Sequence, residues 1–318
     1  MYREFYGLFC EPFNLNPDPK FLYLARSHYE AFSSMMSGIK ERKGIIVITG
    51  EPGVGKTLLI YALLKDLTDQ VKTAFIFNPA LGFQSILENI LLELGVPVDE
   101  REKNINSLLV RFRKYLQERL AREESVAVVI DEAQSLDKGV LESLLRFSTS
   151  GAPAAKRLQI LLVGHLELEE KLNSEKLRPY KEKITVKCRI RPFTREEGRG
   201  YLKHRLKMAG RDVSEIFTSE AVSRVWEFSG GIPRVMNLLC DRALLIGYAD
   251  SSPYIDSKII KEALKDLDHL RSGGTRTFLP KFRGKIFRSM IFRILFFIFS
   301  ICVFLLSLNF MLPLLFRK

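Results

Sequence analysis

Five short runs of this chain are apolar at half or more of their positions: GIIVITG (44–50), KTAFIFN (72–78), SVAVVID (125–131), LQILLVG (158–164) and KITVKCRI (183–190). Runs of this length, rich in Val and Ile, predict parallel strands buried on both faces. Between them, stretches such as TLLIYALLKDLTDQ, FQSILENILLELG and NSLLVRFRKYLQERLARE carry a helical pattern. The repeated strand and helix order predicts an α/β sheet covered on both sides. After Pro192 no strand-like run recurs before about Leu270, and four helices are predicted from TREEGRGYLKHRLKMAG, TSEAVSRVWEFSG, PRVMNLLCDRALLIGYAD and DSKIIKEALKDLDHL. Thr194 and Glu197 have the spacing of a capping box at the first of them. The expected organisation is an α/β domain over residues 1–191, a helical domain over 192–270, a basic linker over 271–293 that starts at RSGGT, and an apolar segment over 294–316.

That last segment, ILFFIFSICVFLLSLNFMLPLLF, holds no charged residue. As a helix it would rise roughly 34 Å, against about 30 Å for the hydrocarbon core of a bilayer. KFRGKIFRSMIFR before it supplies five basic residues and no acid, and Arg317 and Lys318 follow it. The expectation is a single-pass helix in the cytoplasmic membrane, with the lipid bilayer as a partner and the preceding domains on the cytoplasmic side. A membrane hairpin or a partner helix is the alternative, since Asn309 and Pro313 interrupt the run.

The net charge of +12 changes meaning once it is divided along the chain. Residues 271–318 hold nine Lys or Arg and no Asp or Glu, which leaves the first 270 residues close to neutral. The excess therefore argues for a membrane surface and weighs against nucleic acid. Cys10, Cys188, Cys240 and Cys302 have no metal-binding spacing and are expected to be reduced thiols.

The sharpest chemical signal is GEPGVGKT (50–57), between a predicted strand and a predicted helix. It fits the phosphate-binding P-loop, with Gly50, Glu51, Pro52, Gly53, Val54, Gly55, Lys56, Thr57 and Leu58 as nucleotide-binding candidates. There the glycines turn backbone N–H groups towards phosphate, Lys56 reaches the β and γ phosphates, and Thr57 can ligate Mg²⁺. VAVVIDEAQ ends its strand in Asp131 and Glu132, the Walker B arrangement: Asp131 for Mg²⁺, Glu132 to polarise the attacking water. With no guanine-reading motif found, ATP and Mg²⁺ are the expected cofactors.

GEPGVGKT, VVIDEAQ and GGIPRVMNLLCDRALL, with the opening FYGLFCEPFNLNPDPKFLYLARSHYEA, resemble the AAA+ ATPases of the general secretion pathway protein A (ExeA) type, over about residues 1–270. That family includes secretion ATPases encoded with exosortase and exopolysaccharide systems. The resemblance implies a five-stranded parallel sheet of order 5-1-4-3-2, a helical lid, and a homo-oligomer with ATP between subunits. It implies Arg234 as a lid residue on the γ-phosphate and Arg178 as the place of an arginine finger acting in trans, although neighbouring Lys and Arg residues leave the choice of finger open. At His165 the family commonly has Gln, so a phosphate-sensing or water-orienting role there is altered. His28 and Glu30 match a segment bordering the adenine pocket, with a helix-start capping role as the alternative. The implied function is a membrane-anchored ATPase that assembles or energises an envelope secretion or exopolysaccharide export system, with inner-membrane export components as partners. The alternatives are a DNA-associated AAA+ regulator of the transposition or origin-recognition kind, and an ATP-gated membrane scaffold with little hydrolysis.

Overall fold

The computed structural model describes residues 1–272 apart from 78, 80, 81, 99–103, 150 and 152, and at 154 and 268–272 it describes the backbone alone. The basic stretch 281–293 and the apolar run 294–316 lie outside the described residues. Among the described residues, no helix is long and apolar enough to cross a membrane.

The strands are β1 (Ile45–Gly50), β2 (Val71–Ile76), β3 (Ser125–Ile130), β4 (Leu158–Gly164) and β5 (Ile184–Ile190). The helices are α1 (Tyr2–Phe5), α2 (Arg26–Lys40), α3 (Lys56–Asp66), α4 (Phe83–Glu93), α5 (Ile105–Ala121), α6 (Lys138–Ser148), α7 (Glu167–Leu172), α8 (Arg178–Lys181), α9 (Arg195–Met208), α10 (Ser219–Ser229), α11 (Pro233–Ala249) and α12 (Ser257–Ser272). The five strands form one parallel sheet of order β2-β3-β4-β1-β5, the expected order read from its other edge.

Burial follows position in the sheet. Every residue of β1, β3 and β4, the three inner strands, is buried, while the edge strand β5 alternates between half-buried and exposed positions up to its buried last residue, Ile190. This is why the inner strands read as unbroken apolar runs and KITVKCRI does not. Ile46, Ile48, Val129 and Leu161 pack on one face with Met35 and Ile39 of α2 and Leu59 and Leu63 of α3. Val47, Val128, Ile130 and Leu162 pack on the other with Ile86, Phe112 and Leu141 from α4, α5 and α6.

A separate core binds α9 to α12 together, and residues from the first 25 join it: Tyr2, Tyr6, Leu8, Phe13 and Ala25 pack with Leu202, Leu206, Phe217, Leu239 and Leu244. The amino-terminal segment, grouped by sequence with the sheet, thus has its side chains in the helical unit. Arg205 of α9 fastens it, donating to the carbonyls of Pro12 and of Asn14 (2.9 Å), with its guanidinium 4.4 Å over the Phe21 ring. The capping box at Thr194 and Glu197 is present, and it does more than the spacing predicts. The Glu197 carboxylate accepts the backbone N–H of Thr194 at 2.9 Å and that of Arg26, the first residue of α2, at 3.1 Å. Burial would raise its pKa, but these N–H donors outweigh it and hold the carboxyl below its usual range. At the far end, α12 continues through Arg271 and Ser272, two residues into the stretch expected as linker.

Phe13 is 1% exposed and lies edge-on to Phe217. Phe13→Ala is expected to destabilise the helical unit by about 3–5 kcal/mol. Phe9→Ala, at a ring 83% exposed, is expected to change stability by about 0.5 kcal/mol or less. Denaturant unfolding followed by emission of Trp226, the one tryptophan, which sits in α10, measures both.

Candidate active site

β1 ends at Gly50 and the chain turns back over its own strand end to start α3 at Lys56. Gly53 (φ 83°) and Gly55 (φ 99°) occupy the left-handed region, which lets successive amides face inward as an anion cradle. Gly53 is needed for a second reason: a Cβ there would lie 2.8 Å from Arg234 Cβ, in the first turn of α11. Val54 is buried beneath the loop, and its carbonyl accepts from His28 Nε2 at 2.8 Å. Lys56 is 5% exposed, with Nζ donating to the Gly50 and Glu51 carbonyls, both at 3.0 Å. Burial lowers its pKa, while Glu132, Asp131 and Glu167 act in the opposite direction.

The strand order brings the second motif to the same edge, because β1 and β3 both flank β4 and all three end on one side. Asp131 has no exposed surface. Its carboxylate accepts from Thr57 Oγ1 at 2.6 Å and from the Glu132 N–H at 2.9 Å. Burial pushes its pKa up, and those two donors pull it back in part. Thr57 and Asp131 thus present adjacent hard oxygen donors, the chemistry Mg²⁺ selects. Among the described residues no group of three or more His, Cys, Asp or Glu could cage a metal. A cation here would take the rest of its shell from phosphate and water.

Glu132 stands at φ 50°, a left-handed conformation that turns its side chain into the cleft beside Asp131. Its Oε2 accepts from Gln134 Nε2 at 2.5 Å and lies 3.6 Å from His165 Nε2. His165 follows the last residue of β4, and its backbone N–H donates to Gln134 Oε1 at 2.9 Å. Gln134 escaped the motif reading, though it stands two residues after Glu132 in VAVVIDEAQ. No spacing rule says that it folds back onto the tip of another strand.

Pro52, Gly53, Gly55, Lys56, Thr57, Leu58, Glu132, His165 and Arg234 line one cleft of about 480 Å³. Pro233 at the first position of α11 and the Arg234 N–H donating to the Gly53 carbonyl (3.2 Å) dock the helical unit on the P-loop. Asn14 to Asp18 and Tyr201, Arg205 and Asn237 also border the cleft, so the amino-terminal segment reaches the nucleotide cradle. The NLNPDP stretch was the visible signal for this, within the family-like opening. Arg178 lies elsewhere, exposed at the start of α8.

The capping role weighed for His28 does not form: the first N–H of α2 is capped by the Glu197 side chain, and the His28 ring supports the P-loop instead. The Val54 carbonyl can only accept, which assigns the proton to Nε2, and Nδ1 is buried without a partner. Burial lowers its pKa, against the effects of the Val54 carbonyl and Glu197. Glu30 is exposed and pairs with Arg26 at 3.0 Å, away from the cleft.

Comparison with known proteins agrees with this geometry. Residues 39–172 match the AAA domain family. The chain is 35% identical over 275 residues to general secretion pathway protein A of Aeromonas hydrophila, an alignment covering 86% of this chain and 50% of that protein. The chain thus spans about half the length of that curated relative. The fold is similar to Aeropyrum pernix ORC2, solved as ADPNP and ADP complexes (TM-score 0.62, 20% identity, 80% of this chain and 71% of that one). It is also similar to the Thermotoga maritima RuvB Holliday junction branch migration motor (TM-score 0.52, 17% identity, 78% and 73%). A P-loop opening α3, an acidic pair following β3 on the far side of β4, and a helical unit seated on the P-loop, together with the match to that relative, place the chain in the AAA+ P-loop ATPases of the general secretion pathway protein A type.

Proposed function

We propose that this chain binds ATP with Mg²⁺ and hydrolyses it, as a homo-oligomeric motor or switch anchored in the cytoplasmic membrane that assembles or energises an envelope secretion or exopolysaccharide export system. The observation that supports the chemistry is the convergence of Lys56, Thr57, Glu132 and Arg234 on one cleft, with the buried Asp131 carboxylate bonded to Thr57 behind it. The P-loop amides and Lys56 hold the phosphates, and Thr57 and Asp131 hold Mg²⁺, which neutralises phosphate charge when bound. Glu132 orients a water in line with the γ-phosphorus and takes its proton. The water oxygen bonds to that phosphorus as the bond to the β,γ-bridging oxygen breaks, releasing ADP and phosphate. In this reading Arg234 meets charge on the γ-phosphate from the same subunit, and Arg178, exposed on α8, is the candidate to reach a neighbour's cleft in the assembly.

The location reading rests on the uncharged run 294–316 and its basic flank, and the export role on similarity to general secretion pathway protein A. A DNA-associated role is favoured by one observation. Arg42, Lys43, Lys156, Arg157 and Lys183 surround a cleft of about 620 Å³ to which the opposite ends of the strands contribute Ile45 and Leu158. Arg42 and Arg157, however, both donate to the Glu123 carbonyl, just past the end of α5, which gives them a capping task there.

Lys56→Ala is expected to abolish nucleotide binding, whereas Glu132→Gln keeps binding and stops Mg²⁺-dependent phosphate release. Binding of a fluorescent ATP analogue alongside phosphate release reads both, and equal loss of affinity in the two variants would remove Glu132 from its role. Arg178→Ala is expected to lower turnover and spare binding. Excess Glu132→Gln subunits should then restore part of the rate in mixed oligomers, and no recovery despite co-assembly counts against Arg178. The full-length protein is expected to stay in membranes washed with high salt or carbonate, whereas residues 1–275 appear in the soluble fraction with ATPase activity. Release of the full-length protein by salt overturns the membrane-spanning reading.

A further inference from the structure

We propose that Gln134 is a positioning residue for hydrolysis, which holds the Glu132 carboxylate by one oxygen and fixes the His165 imidazole beside it; the inference rests on the ATPase reading above. Its amide makes contacts that its chemistry can meet without conflict. The His165 backbone N–H can only donate, so the Gln134 atom facing it at 2.9 Å is the carbonyl oxygen Oε1. That orientation turns the amide nitrogen, with two hydrogens, towards Glu132 Oε2 at 2.5 Å and His165 Nδ1 at 3.3 Å.

Two consequences follow for the neighbours. A Nδ1 that accepts from Gln134 leaves the proton of a neutral imidazole on Nε2, and this is the nitrogen 3.6 Å from Glu132 Oε2. Both groups that meet Oε2 are then donors. With Oε2 engaged, Oε1 is the oxygen that takes the proton of the attacking water.

The surroundings are built to keep the amide in place. Gly164 makes room for it: a Cβ there would lie 2.6 Å from Gln134 Oε1. On its other side, the backbone carbonyls of Gln134 and Leu136 both accept from Lys171 Nζ of α7. The Gln134 backbone is therefore tied to α7 and its side chain to the tip of β4, and the same side chain carries that placement to Glu132. A long amide arriving from the Walker B side thus supplies hydrogen bonding at the tip of β4, where this chain carries His165.

The test is steady-state ATP hydrolysis by the full-length chain. Gln134→Glu keeps the size of the side chain but replaces the donor by an acceptor, and Gln134→Ala removes it. Both are expected to lower kcat by about 10- to 100-fold while KM and ATP-analogue affinity stay within about twofold, the split that lost positioning produces and lost binding does not. Gly164→Ala, which reaches the amide from β4, is expected to lower kcat in the same sense. On a Glu132→Gln background, Gln134→Ala should leave the residual single-turnover rate unchanged, because the group it acts through is already gone. The inference is overturned if the Gln134 variants hydrolyse like wild type or faster, if analogue affinity falls along with kcat, or if Gln134→Ala costs the same factor on both backgrounds. A wild-type chain that releases no phosphate fails the ATPase reading itself. Wild-type turnover that Glu132→Gln stops and the Gln134 variants leave untouched fails this inference alone.

Discussion

A fully buried carboxylate organises this site. Asp131 has no exposed surface, and an ionised carboxylate removed from water is expensive unless donors replace its hydration. The Thr57 hydroxyl and the Glu132 N–H do so within 2.9 Å, and Lys56, itself buried, contributes the opposing charge. Each of these donors has its own structural requirement. Thr57 and Lys56 are in place because the P-loop turns through Gly53 and Gly55 before α3 begins, and the Glu132 N–H points back because Glu132 adopts φ 50°. The same turn at Glu132 sends its side chain to Gln134 and His165. Compensation for one buried charge therefore sets the geometry of both motifs, and a divalent cation with phosphate would complete it.

The helical unit depends on that arrangement from above. Two stretches of chain pass between it and the sheet unit, one near Ala25 and Ser27 and the other near Arg191 and Thr194, and they run side by side. The Arg191 N–H donates to Ser27 Oγ at 3.2 Å, and Glu197 accepts from both Thr194 and Arg26. Both crossings are thus tied at one place. Away from that tie, the unit rests on the P-loop through Arg234 and Gly53. The cleft is lined at this contact by Gly53 and Arg234, and it is bordered by residues 14–18 of the amino-terminal segment that Arg205 clamps to α9. The phosphate cradle and the seat of the helical unit therefore share Gly53.

Much of this architecture is legible along the chain. The three inner strands were readable because strands covered on both faces are apolar at nearly every position, and the P-loop was readable because its turns at Gly53 and Gly55 and the bonds of Lys56 to Gly50 and Glu51 all lie within eight residues. The Thr194 capping box is local in the same way. The pattern also located Asp131 and Glu132 at a strand end, though not what they would face. Less legible was the amino-terminal segment, whose aromatic residues Tyr2, Tyr6 and Phe13 signal burial without naming the partner core.

What the sequence by itself determined, then, are features whose cause lies within a few neighbouring residues: strand and helix identity, the phosphate-binding turn and the acidic strand end. The tertiary structure alone decided which distant groups meet. Gln134 folding onto the tip of β4, Glu197 capping a helix 171 residues away, Arg205 gripping Pro12 and Asn14, and His28 supporting Val54 rather than capping α2 all depend on strand order and packing. The physical reason is that a hydrogen-bond donor or acceptor is satisfied by any partner of suitable geometry. Residue type therefore states that a bond is needed, and only the packed backbone selects the group that makes it.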